Sequence, residues 1–168
     1  YEKDGTRTVV ADRFEGKRFS GPNDVVAKSN GSIYFTDSVS GLRGAGGSPQ
    51  RELPFNGFYL VKDGTVTLLD PALRDPQVAG TTFPNGITLS PDERHLYVTF
   101  GRKIMRYEIN ADDTVGNPIE FADVAVGWED VAHFLRFDSK TYRRNLVHAR
   151  PLYHVWVLCW LPGQHSPV

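Results

Sequence analysis

Apolar residues in this chain alternate with polar ones or gather in short runs, and each run is closed by Gly, Asn, Asp or Pro. That is the period of a strand, whose side chains point to alternate faces, broken by residues that suit turns. The pattern predicts strands over 6–10, 25–28, 32–36, 58–61, 65–69, 87–89, 95–99, 103–109 and 119–121. Asn30-Gly31 and Asp63-Gly64 read as tight hairpin turns, because both residues of each pair tolerate positive φ. No window holds a sustained apolar face at helical spacing, so little helix is expected.

Two of these segments recur. Lys3-Asp4-Gly5-Thr6-Arg7-Thr8-Val9-Val10 returns as Lys62-Asp63-Gly64-Thr65-Val66-Thr67-Leu68-Leu69. Pro22-Asn23-Asp24-Val25-Val26, followed by Ile33-Tyr34-Phe35-Thr36, returns as Pro84-Asn85-Gly86-Ile87-Thr88, followed by Leu96-Tyr97-Val98-Thr99. A fixed-order repeat of short strands and Asp-Gly turns predicts an all-β fold, a partial β-propeller. Blades of roughly 40–60 residues give about three in a chain of this length, whereas closed propellers use about 4–8. An open stack leaves strand edges and inner faces uncovered, so the chain is expected to form part of a larger ring.

The repeat is clear over residues 1–125. Residues 126–168 read as an altered blade with a divergent tail: Leu135-Arg136-Phe137-Asp138-Ser139 and Val155-Trp156-Val157-Leu158 are weaker copies, without the turn signals. Residues 37–54, with Gly41, Gly44, Gly46, Gly47, Pro49 and Pro54, carry little that could pack and read as a lid loop at one rim.

Composition narrows the partners. The 168 residues carry 19 basic and 20 acidic side chains, a net charge of −1, which offers no electrostatic reason to bind nucleic acid or an anionic membrane. No apolar stretch is long enough to span a bilayer, and no signal peptide opens the chain. Position 1 is Tyr and the only methionine is Met105, so the sequence is expected to begin inside a longer product or after processing. The single cysteine, Cys159, cannot form an internal disulfide and leaves the compartment open. No Gly-x-Ser-x-Gly elbow and no zinc spacing of His or Cys is present.

The repeated Pro-Asn places Asn23 and Asn85 at equivalent points of their blades, where two amide oxygens could converge on the central channel. Such oxygens are hard ligands, suited to Ca²⁺, Mg²⁺ or Mn²⁺, although Asn after Pro is also an ordinary turn former. Glu52, Arg43 and Asp37 are further candidates, each with a plain reading as a solvated or turn residue.

Phe19-Ser20-Gly21-Pro22-Asn23-Asp24-Val25-Val26, Ser32-Ile33-Tyr34-Phe35-Thr36-Asp37, Glu52-Leu53-Pro54-Phe55-Asn56-Gly57 and Phe83-Pro84-Asn85-Gly86-Ile87 stand here in one order. With Ser90-Pro91-Asp92-Glu93 and Leu96-Tyr97-Val98, they resemble the gluconolactonase and regucalcin family (SMP-30/gluconolactonase/LRE-like) of six-bladed propeller lactonases over residues 1–125. The resemblance implies a small-molecule lactone substrate and a divalent cation, Ca²⁺ first, with Mg²⁺, Mn²⁺ or Zn²⁺ as alternatives. It places Asn85 on the family's metal-binding asparagine, and Asn23 on an asparagine that contacts substrate or the metal site. The cation would act as a Lewis acid on the lactone carbonyl, and a metal-binding aspartate would move the proton.

Two departures accompany it. The family's metal-binding glutamate belongs to a first blade that this chain lacks. Its catalytic aspartate belongs to a Pro-Asp-Gly-Leu motif, where this chain reads Ala132-His133-Phe134-Leu135, so His133 takes the catalytic position. Glu129 and Asp130 lie just upstream as substitutes. The expected function is metal-dependent hydrolysis of a sugar lactone. The alternative is a non-catalytic propeller fragment that binds a ligand or partner, or a truncated inactive product.

Overall fold

The computed structural model describes residues 4–79, 82–123, 143–150 and 153–159, and the chain divides into two compact units, Tyr1–Val124 and Ala125–Val168. In the first unit a small hairpin, β1 (Arg13–Phe14) and β2 (Lys17–Arg18), precedes two four-stranded antiparallel sheets. The first sheet runs β3 (Pro22–Ala27), β4 (Ile33–Asp37), β5 (Gly57–Lys62) and β6 (Thr65–Leu68), each strand beside its sequence neighbour. The second repeats that meander with β7 (Pro84–Leu89), β8 (His95–Phe100), β9 (Lys103–Glu108) and β10 (Ile119–Asp123). In the second unit, β11 (Arg143–Arg150) pairs with β12 (Tyr153–Cys159). The fold is mostly β, with two four-stranded sheets of the propeller-blade type.

Period-two alternation sorts the first sheet's side chains. Tyr34, Phe58 and Leu60 face the second sheet and join Ile87, Leu96, Val98 and Tyr107 in a buried core. Phe35, Tyr59 and Val61 face the other way, against Phe14, Leu53 and Phe55. The run Phe58-Tyr59-Leu60-Val61 is therefore apolar at every position because β5 is buried on both faces. The Tyr59 ring stacks on Phe35 at 5.2 Å between centroids, and Phe19 meets Phe35 edge-on at 5.0 Å.

The sheets are also joined at the rim opposite the Pro-Asn ends. Asp113 is 1% exposed and holds a positive φ of 70°. Its carboxylate accepts from Lys62 Nζ at 2.8 Å, Ser32 Oγ at 2.8 Å, Asn30 Nδ2 at 2.9 Å and also Lys28 Nζ. The Asp113 carbonyl accepts from the Tyr34 hydroxyl at 2.9 Å. Burial alone would raise the Asp113 pKa, but the two lysines, Ser32 and Asn30 outweigh it and hold the carboxyl far below the usual range. One turn of the second sheet thus gathers three turn residues of the first.

Three sequence expectations change. Residues 6–10 join no strand ladder, although Gly5 keeps the positive φ of its repeat partner Gly64 (84° and 75°). A strand needs a neighbour for its main-chain hydrogen bonds, and none of the described residues pairs with this segment. At Asn30-Gly31 only the glycine takes positive φ, 92°, and Lys28 N–H donates to the Ser32 carbonyl at 2.8 Å, so the turn is longer than a two-residue hairpin. Asp63-Gly64 does adopt positive φ at both residues (50° and 75°), and Lys62 pairs directly with Thr65 across it, a two-residue hairpin.

The third change concerns residues 37–54. Val39 is 3% exposed and Leu53 1%, and the segment forms two single turns, Val39–Gly41 and Ala45–Gly47. It is fixed to the first sheet at both ends. Among the described residues no helix is long and apolar enough to cross a membrane.

Candidate functional site

Both Pro-Asn pairs open the first strand of their sheet, and both fall in the same irregularity. Pro22 pairs with Asp37, and regular pairing resumes only at Val25 with Phe35. Pro84 pairs with Phe100, and pairing resumes at Ile87 with Val98. Asn23-Asp24 and Asn85-Gly86 are thus matched bulges, devices that re-aim side chains at a strand end. Proline at the strand's first residue loses no ladder bond that it could have donated.

A threonine on the adjoining strand holds each bulge. Thr36 Oγ1 accepts from Asp24 N–H at 3.2 Å, and Thr99 Oγ1 accepts from Gly86 N–H at 2.8 Å. Two further bonds cross between the sheets: Thr36 Oγ1 donates to the Asn85 carbonyl at 2.6 Å, and Ile87 N–H donates to Asp24 Oδ2 at 2.9 Å. Asp24 Oδ1 accepts from Val25 N–H at 2.9 Å, so both carboxylate oxygens of Asp24 serve main-chain donors.

Asn23 and Asn85 are both exposed, and among the described residues neither side-chain amide has a hydrogen-bond partner. Beside Asn23 opens a cavity of about 300 Å³, lined by the polar Asn23 and Asp24 and by the apolar Val10, Val25, Ile33, Phe35 and Val61. Among the described residues no group of three His, Cys, Asp or Glu stands close enough to hold a metal. His133, Glu129 and Asp130 lie outside the described residues.

Asp37 faces inward. It is fully buried and accepts from Ser20 N–H at 3.0 Å and Gly21 N–H at 2.6 Å, which fixes the chain just before Asn23. Burial pushes its carboxyl above the usual value, against the lowering effect of those two donors. Glu52 pairs with Arg18 through side chain and main chain, and Arg43 is exposed. Asn56, in Phe55-Asn56-Gly57, is buried; its Oδ1 accepts from Val39 N–H at 2.9 Å and its Nδ2 donates to the Thr82 carbonyl at 3.0 Å.

Sequence reasoning singled out the asparagines but not Asp24 and Thr36, which connect their bulges. A signal was present: Thr36 and Thr99 recur in the repeat, while the residue after Asn changes from Asp24 to Gly86.

Residues 1–138 match the family described as SMP-30/Gluconolactonase/LRE-like region. A gluconolactonase of Zymomonas mobilis is 43% identical over 94 residues, covering 55% of this chain and 24% of that protein. Protein strictosidine synthase-like 13 of Arabidopsis thaliana is 35% identical over 101 residues, covering 56% of this chain and 23% of its own length. Among solved structures, a gluconolactonase from Xanthomonas campestris aligns with a TM-score of 0.59 at 28% identity, covering 75% of this chain and 41% of that one. The chain spans less than half the length of each of these relatives. Matched bulges on repeated blades and a family match over most of the residues lead to one assignment: this chain belongs to the SMP-30/gluconolactonase/LRE-like family.

Proposed function

We propose that this chain supplies part of the active site of a lactone hydrolase that opens a sugar lactone with a divalent cation. The observation that carries the reading is the pair of exposed amides at matched bulges, Asn23 and Asn85, without a hydrogen-bond partner among the described residues, in a chain related to gluconolactonases.

The donor chemistry fits a hard cation. Two neutral amide oxygens suit Ca²⁺, and with tighter geometry Mg²⁺ or Mn²⁺, better than Zn²⁺, which prefers nitrogen and sulfur. Carboxylates that complete such a set would come from outside the described residues, since none clusters there. When bound, the cation supplies Lewis-acid polarisation of the lactone carbonyl. Asn85 offers Oδ1 from a bulge whose main chain is held by Thr36 and Thr99. Asn23, beside the cavity, can accept from sugar hydroxyls through Oδ1 and donate to ring oxygens through Nδ2. Asp24 engages a main-chain N–H group with each carboxylate oxygen, which suits it to positioning the bulges. His133 is the candidate for moving the proton, at the position of the family's aspartate.

The test is hydrolysis of glucono-δ-lactone by the purified chain, followed through acid release, with Ca²⁺ and with chelator. Activity that disappears with chelator and returns with Ca²⁺ is expected. Absent or chelator-insensitive hydrolysis overturns the catalytic reading for this chain by itself and leaves a propeller segment that binds without turnover.

A further inference from the structure

We infer that Asp24 and Thr36 are positioning residues, a reciprocal clamp that sets the Asn85 bulge against the Asn23 bulge across the boundary between the two sheets; this rests on the reading of the asparagines as one site. The geometry is two-way. The first sheet donates once, from Thr36 Oγ1 to the Asn85 carbonyl at 2.6 Å, and accepts once, at Asp24 Oδ2 from Ile87 N–H at 2.9 Å. The two bonds bracket Gly86, so the main chain on either side of the second bulge is tied to the first sheet.

The repeat separates the clamp from ordinary bulge chemistry. Thr99 does for Gly86 what Thr36 does for Asp24: its hydroxyl accepts the bulge N–H. That local bond exists in both blades and needs no neighbour. Asp24 has no counterpart, since its repeat position is Gly86, and the second contact of Thr36 reaches another sheet. A Cβ at Gly86 would stand 3.3 Å from Thr99 Oγ1, a tight approach, and 3.9 Å from Asp24 Oδ2, an ordinary contact, so the missing side chain eases the local threonine bond and leaves the clamp uncrowded. Sheet association does not depend on these bonds, because the Tyr34–Leu96 core and the Asp113 cluster already join the blades. What the clamp adds is placement of two exposed amides that have no hydrogen-bond partner among the described residues.

The experiment uses the whole chain and two readouts. Amide hydrogen exchange at Ile87 reports the clamp, and the side-chain amide resonances of Asn23 and Asn85 during a Ca²⁺ titration report its consequence. Asp24→Asn and Thr36→Val are each expected to speed exchange at Ile87 or at its bulge neighbours by more than about tenfold. Both should weaken the Ca²⁺ response of the asparagine resonances, and Thr36→Ser, which keeps the hydroxyl, should restore it. Lys62→Met, which loosens the Asp113 cluster at the far rim, should lower stability and leave the Ca²⁺ response intact. Unchanged exchange in both clamp variants overturns the clamp. A Ca²⁺ response that Lys62→Met weakens as much as Thr36→Val does overturns positioning in favour of general stability. A wild-type chain whose asparagines ignore Ca²⁺ overturns the metal reading, and exchange at Ile87 then decides the clamp alone.

Discussion

The main chains of Gly21 and Gly41 touch. A Cβ built at residue 21 would lie 2.7 Å from the Gly41 Cα, and one at residue 41 would lie 2.8 Å from the Gly21 Cα. Gly21 directly precedes Pro22-Asn23, and its carbonyl accepts from Ser38 N–H at 3.2 Å. The loop after β4 therefore presses on the chain that enters the first bulge.

The Gly21 backbone cannot move away without breaking the bonds that Asp37 makes to Ser20 and Gly21. Gly21→Ala is expected to destabilise the fold by about 1–3 kcal/mol, the usual range for overpacking. Gly47→Ala, with open space at its Cβ, should be mild by comparison. Chemical denaturation of the two variants checks the contrast.

Asp113 joins four side chains of the first sheet to one turn of the second, with Lys28 17% exposed and Lys62 38% exposed. Asp113→Ala leaves two ammonium groups facing each other without their counter-ion. A loss of about 1–3 kcal/mol is expected, below the range for fully buried pairs because both lysines keep access to solvent. A denaturant midpoint close to wild type would refute it.

The two buried aspartates give opposite pH dependences. The Asp113 pKa lies below its ordinary 3.8, so its stabilisation is present above 3.8 and is lost as pH falls through the depressed value. The Asp37 pKa lies above 3.8, so the folded protein holds that proton more tightly, and its contribution is present below 3.8 and lost as pH rises through the raised value. Asp113→Asn should flatten the stability curve below 3.8, and Asp37→Asn should flatten it above. Urea midpoints measured across the acid range distinguish the two.

Asn85→Ala and Asn23→Ala remove exposed amides that make no hydrogen bond among the described residues, so both should fold with near-native stability. Asn85→Ala is expected to weaken Ca²⁺ binding by more than about tenfold, measured by titration calorimetry. Equal affinity in the variant would remove Asn85 from the ligand set.

Much of the architecture was readable before any coordinates. The segment at 95–99 announced a strand because period-two burial leaves an alternating trace, 58–61 because burial on both faces leaves a short continuous apolar run, and Asp63-Gly64 announced its turn because few residues accept positive φ. The segment at 6–10 looked the same and forms no ladder, since strand propensity does not supply a partner. Asp37 read as a candidate or a turn residue and Asn56 only as part of a motif, and both are buried as acceptors for main-chain N–H groups of other segments.

By itself the sequence determined the blade repeat, the equivalence of Asn23 and Asn85, and the family, because all three are written in local order and spacing. Only the tertiary structure decided which groups hold those asparagines in place. Thr36 reaching Asn85, Ile87 reaching Asp24, and two lysines converging on Asp113 join residues far apart in the chain. Their pairing follows from two sheets stacking face to face, and hydrogen bonds of that kind leave no periodic mark in the order of residues.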